Sequence, residues 1–414
     1  MPQIGHTSYD VERVRADFPV LSRKVYNRPL VYLDTAASAQ KPQAVIDAMS
    51  RYLSEDYANI HRGVYFNSQR STDLFEGARA KVAKFINAAT ADEIVFTRNA
   101  TEAINLVASS WGRKNLGAGD EVLITALEHH ANIVPWQMLR DERGIVLKVV
   151  PIDDSGAIDL AVFESMITTR TRLVAVTHMS NVLGTILPVR EMAALAHARN
   201  IPVLLDGCQS IVHLSVDVQA LGCDFFVFSG HKLYGPSGIG VLYGKYALLE
   251  QMPPYQGGGD MIERVTFEKT TYRKPPARFE AGTPAIAEAI GLGAAIDYIS
   301  SFGRQAIADY EHELFGYMTQ RLAAIEGLTI YGGDMDRTGV ASFTMAGVHA
   351  HDIGTIVDNL ASVAIRVGHH CAQPLMDRLG VTATARASIG MYTTRGDIDV
   401  LADSLLKVRE IFGP

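Results

Sequence analysis

A chain of 414 residues is too long for one simple core and sets a prior of about two or three domains. Its 48% hydrophobic and 20% charged content is ordinary globular composition, and the formal net charge of −7 argues against a broad phosphate-backbone-binding surface. The first residues, "MPQIGHTSYDVERVRADFPVL", mix acids and bases without an apolar run, which excludes a signal peptide, and no later run approaches the ~20 apolar residues that span a bilayer. Three cysteines, Cys208, Cys223 and Cys371, are too few for a disulfide framework and fit a reducing, cytoplasmic setting.

In chain order, "VERVRADF" reads as a short amphipathic helix, and residues 1–30 are expected to pack on the C-terminal lobe. From about 90 to 245, apolar runs alternate with helical patterns. The runs at 93–97, 121–128, 146–152, 172–178, 202–206 and 223–230 read as strands, and "TEAINLVASSWGR" and "VREMAALAHARN" as helices between them. Nearly continuous apolar strands alternating with helices predict a mainly parallel sheet covered on both faces, with functional polar residues just beyond the strands' carboxyl ends. Residues 253–284, with a Gly triplet and two Pro-Pro pairs, predict irregular structure with a short hairpin. A long helix, "AIAEAIGLGAAIDYISSFG", follows, and then a separate α+β pattern. The expected division is a large domain over 31–295 and a smaller one over 296–414.

The most informative segment is 204–240. Asp206 and Lys232 each follow an apolar strand. An aspartate there can cap the next helix, and a lone lysine is usually solvated. A lysine at the mouth of a buried strand can instead become nucleophilic. As a pair they suggest pyridoxal phosphate: the lysine holds the aldehyde, and the aspartate keeps the pyridine nitrogen protonated. "FTRNATEA" offers a strand-to-helix turn with Ala100 and Thr101 at its start, where helical N–H groups favour the phosphate, although Thr101 can equally be a plain helix cap. "RVGHHCAQPL" sets Cys371 after His369 and His370, and by itself leaves four readings: zinc ligand, disulfide partner, buried apolar side chain or nucleophile.

The run "SGHKLYGPSGIGVLYG" with "DGCQS" resembles the class V aminotransferase group of pyridoxal phosphate enzymes. "YLDTAASAQKP", "NIHRGVY", "EHHANIVPWQ", "NVLGT", "RFEAGTP", "RVGHHCAQPLM" and "TARAS", in that order over roughly 31–390, are similar to the SUF-type (group II) cysteine desulfurases. The resemblance implies fold type I and conversion of L-cysteine to L-alanine, with the sulfur taken up as a persulfide on Cys371. Lys232 would bind the cofactor, Asp206 its pyridine nitrogen and Gln209 its phenolate oxygen, with His129 stacked on the ring. Thr101, Ser229 and His231 would hold the phosphate, with Thr283 reaching it from the other subunit of a homodimer. Arg386 would pair bidentately with the substrate carboxylate, and Asn181 would lie near substrate and cofactor oxygens.

The family usually has Ala where this chain has Cys208, a small-for-small exchange from which little functional effect is expected. The nucleophile must be a thiolate, which needs a neighbouring positive charge or a basic imidazole. Arg366, His369, His370, His61 and Arg62 are left without assigned roles. The resemblance further implies a small acceptor protein that takes the sulfur, with iron–sulfur cluster assembly as its destination. Related activities on the same machinery are selenocysteine lyase, another class V transferase, or a non-catalytic sulfur relay. No metal, nucleic acid or membrane partner is expected.

Overall fold

The structure is a computed structural model that describes residues 9–333 and 336–413. Its larger sheet has seven strands: β1 (Ile94–Thr97), β2 (Glu121–Thr125), β3 (Val146–Val150), β4 (Thr171–Thr177), β5 (Val203–Asp206), β6 (Phe225–Ser229) and β7 (Gly240–Gly244). They lie in the order β1-β7-β6-β5-β4-β2-β3. Strands β3, β2, β4, β5 and β6 pair in parallel, and β7 is antiparallel to both β6 and β1. The six apolar runs read from sequence are thus all strands.

Their near-continuous hydrophobicity has a direct cause. Leu123, Val174, Val176, Leu205 and Phe226 enter the core on one face of the sheet, while Val122, Ile124, Ala175, Leu204 and Phe225 enter a second core on the other. With both faces buried, alternation of polar and apolar residues has no physical basis. The edge strand β3 departs most, with Val146 and Val149 exposed, and Arg172 near the start of β4 is exposed as well.

The seventh strand, β7, was not read as such. It is five residues long and follows the Gly- and Pro-rich "YGPSGIG", which carries turn signals rather than strand signals. Gly240 is required at its start, because a Cβ there would meet the Asn99 backbone at 2.5 Å. The strand therefore passes directly against the entry to helix α3 below.

Helices α1 (Gln43–Arg51), α2 (Phe66–Phe85), α3 (Ala100–Val107) and α4 (Val189–His197) belong to the large domain. Residues Ile262–Val265 and Thr270–Tyr272 form the hairpin expected in the irregular stretch. Helix α5 (Ile286–Phe302) then runs unbroken against α1 and α2, and the chain turns at Gly303 (φ +80°) into α6 (Arg304–Ala323).

The smaller sheet is antiparallel, in the order β8 (Leu328–Ile330), β9 (Val340–Met345), β11 (Thr384–Ser388), β10 (Arg366–Gly368). Helices α7 (Ala350–Ala361) and α9 (Arg395–Phe412) cover it, and α8 (Gln373–Leu379) follows the cysteine loop. The register places Arg366 directly opposite Arg386. Of the N-terminal segment, residues 1–8 lie outside the described residues. Beyond them, Tyr9 donates to the Met391 carbonyl at 2.7 Å and Arg15 pairs with Asp397 of α9 at 2.8 Å. Among the described residues, no helix is long and apolar enough to cross a membrane.

Candidate active site

Beyond the carboxyl ends of the sheet strands lies a cavity of about 240 Å³. Five strand ends each deliver one part of its wall. The turn after β1 brings Ala100 and Thr101, the turn after β2 brings His129, and β4 leads to Asn181. Strand β5 ends on Asp206, with Cys208 and Gln209 just beyond, and β6 ends on Ser229, followed by His231 and Lys232. Arg366 and Arg386 enter from the small sheet. Ten predicted residues thus line one cavity, Ala100, Thr101, His129, Asn181, Asp206, Gln209, Ser229, His231, Lys232 and Arg386, and with them stands Arg366, whose role the sequence left open. Cys371 stands at its edge, as described below.

One end of the cavity is built by α3. Asn99, not Thr101, caps this helix, accepting from Glu102 N at 2.9 Å. Thr101 therefore sits within the first turn, at the positive end of the helix dipole. Ser229 Oγ accepts from Ala100 N at 2.9 Å, which fixes that hydroxyl on the cavity wall. His231 Nδ1 lies 3.3 Å from Ser38 Oγ, and the His231 carbonyl accepts from Lys41 Nζ at 2.8 Å.

At the other end, Asp206 accepts from Cys208 N at 3.0 Å, so part of its capacity does serve the local turn. The Cys208 side chain is half-buried on the cavity wall, and burial pushes both its thiol and that of Cys223 well above the usual range. His129 Nδ1 accepts from Ala131 N at 3.0 Å, so a neutral ring carries its proton on Nε2. Burial, with Lys232 nearby, pushes the His129 ring down to about 4. Below it, Glu128 is fully buried and accepts from Thr125 Oγ1 (2.6 Å), Asn132 Nδ2 (2.7 Å) and Thr177 N (3.0 Å), locking the His129 turn to β4.

The cavity fits pyridoxal phosphate on its own donor set. It has a strand-end carboxylate for the ring nitrogen, a helix start for the phosphate and an amine for the aldehyde. Gln209 Nε2 donates to the Ala36 carbonyl at 2.9 Å, while its buried Oε1 has no partner, a polar group that a ligand would satisfy. Among the described residues, none binds the Lys232 ammonium through a hydrogen bond or ion pair.

On the wall contributed by the small sheet, Arg386 is 1% exposed. It donates from Nη1 to the Asn181 carbonyl at 2.9 Å and from Nη2 to Asp34 Oδ1 at 3.2 Å, while Nε lacks a partner. Burial pushes this guanidinium down to about 10, which leaves it charged at neutral pH. Asp34 was not singled out from sequence. Burial raises its carboxyl despite Arg386, and it lies 352 residues from its partner, a contact no local pattern signals.

Cys371 follows β10. Arg366 Nη2 donates to its Sγ at 3.4 Å, which gives Arg366 the role the sequence left open: a fixed positive charge beside the sulfur. Asn181 Nδ2 donates to the His370 carbonyl at 2.7 Å, so Asn181 holds both the cysteine loop and Arg386. The two loop histidines differ. His369 is exposed, whereas His370 is buried with Nε2 2.8 Å from Thr384 Oγ1, and burial pushes it down to about 3. Among the described residues, no three His, Cys, Asp or Glu side chains converge as metal ligands.

Three residues fall outside this cavity. Thr283 lines a separate cavity with Thr97, Glu102 and Tyr255. Its segment is anchored by Glu280, which pairs with the buried Arg79 at 2.7 Å and accepts from Phe96 N at 2.7 Å. His61 and Arg62 pair with Glu76 and Asp260, each at 2.9 Å.

Among the histidines that burial holds low, four are pushed furthest: His129, His178 and His231 to about 4, and His370 to about 3, against 6.5 unfolded. Below about pH 6.5 the unfolded chain therefore binds protons that the folded chain does not. The stability of the cofactor-free protein is expected to be full above that pH and to fall between pH 7 and 5.5, each histidine adding at most about 1.4 kcal/mol per pH unit. Glu128, raised by burial to about 7, acts in the opposite sense, but it is one group against four. Urea midpoints across this range check the sign, and a midpoint that stays level or rises on acidification contradicts it.

The geometry agrees with the relatives of the chain. Residues 31–401 match the family described as Aminotransferase class-V. A cysteine desulfurase of Serratia proteamaculans (strain 568) is 52% identical over 407 residues, covering 98% of this chain and all of that protein. Among solved structures, the cysteine desulfurase CsdA (S-sulfonic acid) of Escherichia coli superposes with a TM-score of 0.91 at 38% identity, covering 98% of this chain and 100% of that one. The apo cysteine desulfurase of Thermococcus onnurineus NA1 gives 0.92 at 38% identity, with 96% and 98% covered. The chain belongs to the class V aminotransferase family, among its cysteine desulfurases.

Proposed function

We propose that this chain converts L-cysteine to L-alanine and takes up the sulfur on Cys371 as a persulfide. One observation carries the assignment of Cys371: Arg366 lines the cavity that holds Lys232 and Arg386, and the same guanidinium reaches the Cys371 sulfur. The thiol thus stands at the edge of the substrate site rather than in a separate pocket.

Pyridoxal phosphate, when bound, supplies the electron sink for the pair released at the substrate Cα. Asp206 keeps the proton on the pyridine nitrogen, Gln209 binds the phenolate oxygen, and neutral His129 covers the ring. Thr101, Ser229, His231 and the Ala100 N-terminal turn hold the phosphate. Lys232 would hold the cofactor's aldehyde and, as a free amine, would move the Cα proton. Arg386 pairs with the substrate carboxylate, and Asn181 fixes that guanidinium. The Cys371 thiolate attacks the substrate sulfur, forming the S–S bond as the Cβ–S bond breaks. The bond pair stays with carbon, which is protonated and leaves as L-alanine.

The functional unit is a homodimer in which Thr283 serves the neighbouring site. Exposed apolar side chains support this reading, including Val64 at 94% and Phe66 at 75% exposure. A small acceptor protein then collects the sulfur for iron–sulfur cluster assembly, in a cytoplasmic setting. The half-exposed Cys371 beside exposed His369 supports such access, and three unpaired thiols support a reducing compartment.

Replacing Cys371 by Ser tests the assignment. The variant is expected to keep the cofactor's visible absorbance and to lose alanine formation. Alanine produced at the wild-type rate would overturn it.

A further inference from the structure

The turn that carries His129 into the cavity also reaches the cysteine loop, through the next residue. His130 N donates to the Cys371 carbonyl at 2.7 Å, and its ring Nε2 accepts from Gln373 N at 3.0 Å. One residue therefore grips the chain at Cys371 and again two residues after it, although 241 positions separate it from the cysteine in sequence.

The loop needs such a grip. His370 and Cys371 both adopt left-handed backbone, with φ of +54° and +57°. Non-glycine residues there are disfavoured, and two in succession persist only where their surroundings over-determine them. Asn181 and Thr384 anchor the His370 side of the loop. His130 anchors the other side, at the carbonyl of Cys371 itself and at the start of α8. An acceptor role for Nε2 requires a neutral ring, and partial burial beside His369 holds His130 below its ordinary value.

We propose that His130 is the positioning residue for the nucleophile: by fixing the backbone at the Cys371 carbonyl and at Gln373 just after it, it holds Sγ at the Arg366 guanidinium and at the cavity edge. This rests on the reading of Cys371 as the sulfur acceptor. It also explains the adjacency of two histidines in "EHH". The first faces the cofactor and the second holds the thiol, so a single short turn sets the distance between them.

The test uses the cofactor-loaded enzyme and single-turnover persulfide formation on Cys371 with L-cysteine, read together with KM and the visible absorbance. His130→Ala is expected to slow persulfide formation 10- to 100-fold while leaving KM and the absorbance unchanged. His130→Gln, whose side-chain carbonyl can accept from Gln373 N, is expected to recover most of the rate. Wild-type persulfide rates in His130→Ala would overturn the proposal, and so would a loss that runs through KM or the absorbance, or a His130→Gln variant as slow as the alanine one. Cys371→Ser run alongside separates the two readings. If it still forms alanine at the wild-type rate, the nucleophile assignment fails. If it is inactive while His130→Ala is unimpaired, only the positioning role fails.

Discussion

Lys232→Ala is expected to abolish both the visible absorbance of the bound cofactor and the conversion of L-cysteine to alanine. On the proposed mechanism Lys232 has two duties that no neighbour shares. It supplies the amine that holds the aldehyde, and it moves the proton at the substrate Cα. Positioned proton transfer alone contributes about 10²–10⁴-fold, so the loss should exceed about 10⁴ once the cofactor tether is gone. The protein itself should fold normally, since Lys232 makes no hydrogen bond that the core depends on and sits on the wall of a cavity. Unchanged absorbance in the variant would contradict the cofactor assignment.

Arg386→Ala should act in the opposite way, keeping the cofactor and losing the substrate. The guanidinium presents a planar fork to a carboxylate in a buried setting, where truncating one partner of a charged pair costs about 2–5 kcal/mol. KM for L-cysteine is therefore expected to rise about 100-fold or more, with the absorbance of the resting enzyme retained. Arg386→Lys should recover little, because an ammonium lacks the fork. The change also strips Asp34 of its partner. That carboxyl is already raised by burial, so it can take up a proton rather than remain an unpaired charge. The fold should then survive, and steady-state kinetics in the folded variant checks the prediction. A KM within a few-fold of wild type would remove Arg386 from the substrate site.

Much of this arrangement is legible from local sequence because strands buried on both faces need continuous apolar runs, and α/β sheets place ligands at their carboxyl ends. Asp206 and Lys232 could thus be paired from "LLDGCQ" and "FVFSGHK" alone. Strand β7 could not, because its antiparallel pairing depends on two neighbours rather than on any signal within "GVLYG". The same holds for the cysteine loop. Arg366 acquires its role from the register of β10 against β11 and from the left-handed turn that returns Cys371 to it. Asp34 and His130 act across 352 and 241 positions, where periodicity and spacing carry no information.

Cys208, where the resemblance expects Ala, places its thiol in the same cavity as Lys232. Burial keeps it protonated, and Asp206 beside it pushes in the same direction. It is therefore a poor nucleophile despite its location, whereas Cys371 has a guanidinium at its sulfur. Two thiols at one site make the destination of the sulfur the sharpest test. After treatment with L-cysteine, mass spectrometry of the cysteine-containing peptides should show a one-sulfur gain on the Cys371 peptide, absent in Lys232→Ala. Sulfur found on the Cys208 or Cys223 peptide, with Cys371 unmodified, would contradict the account.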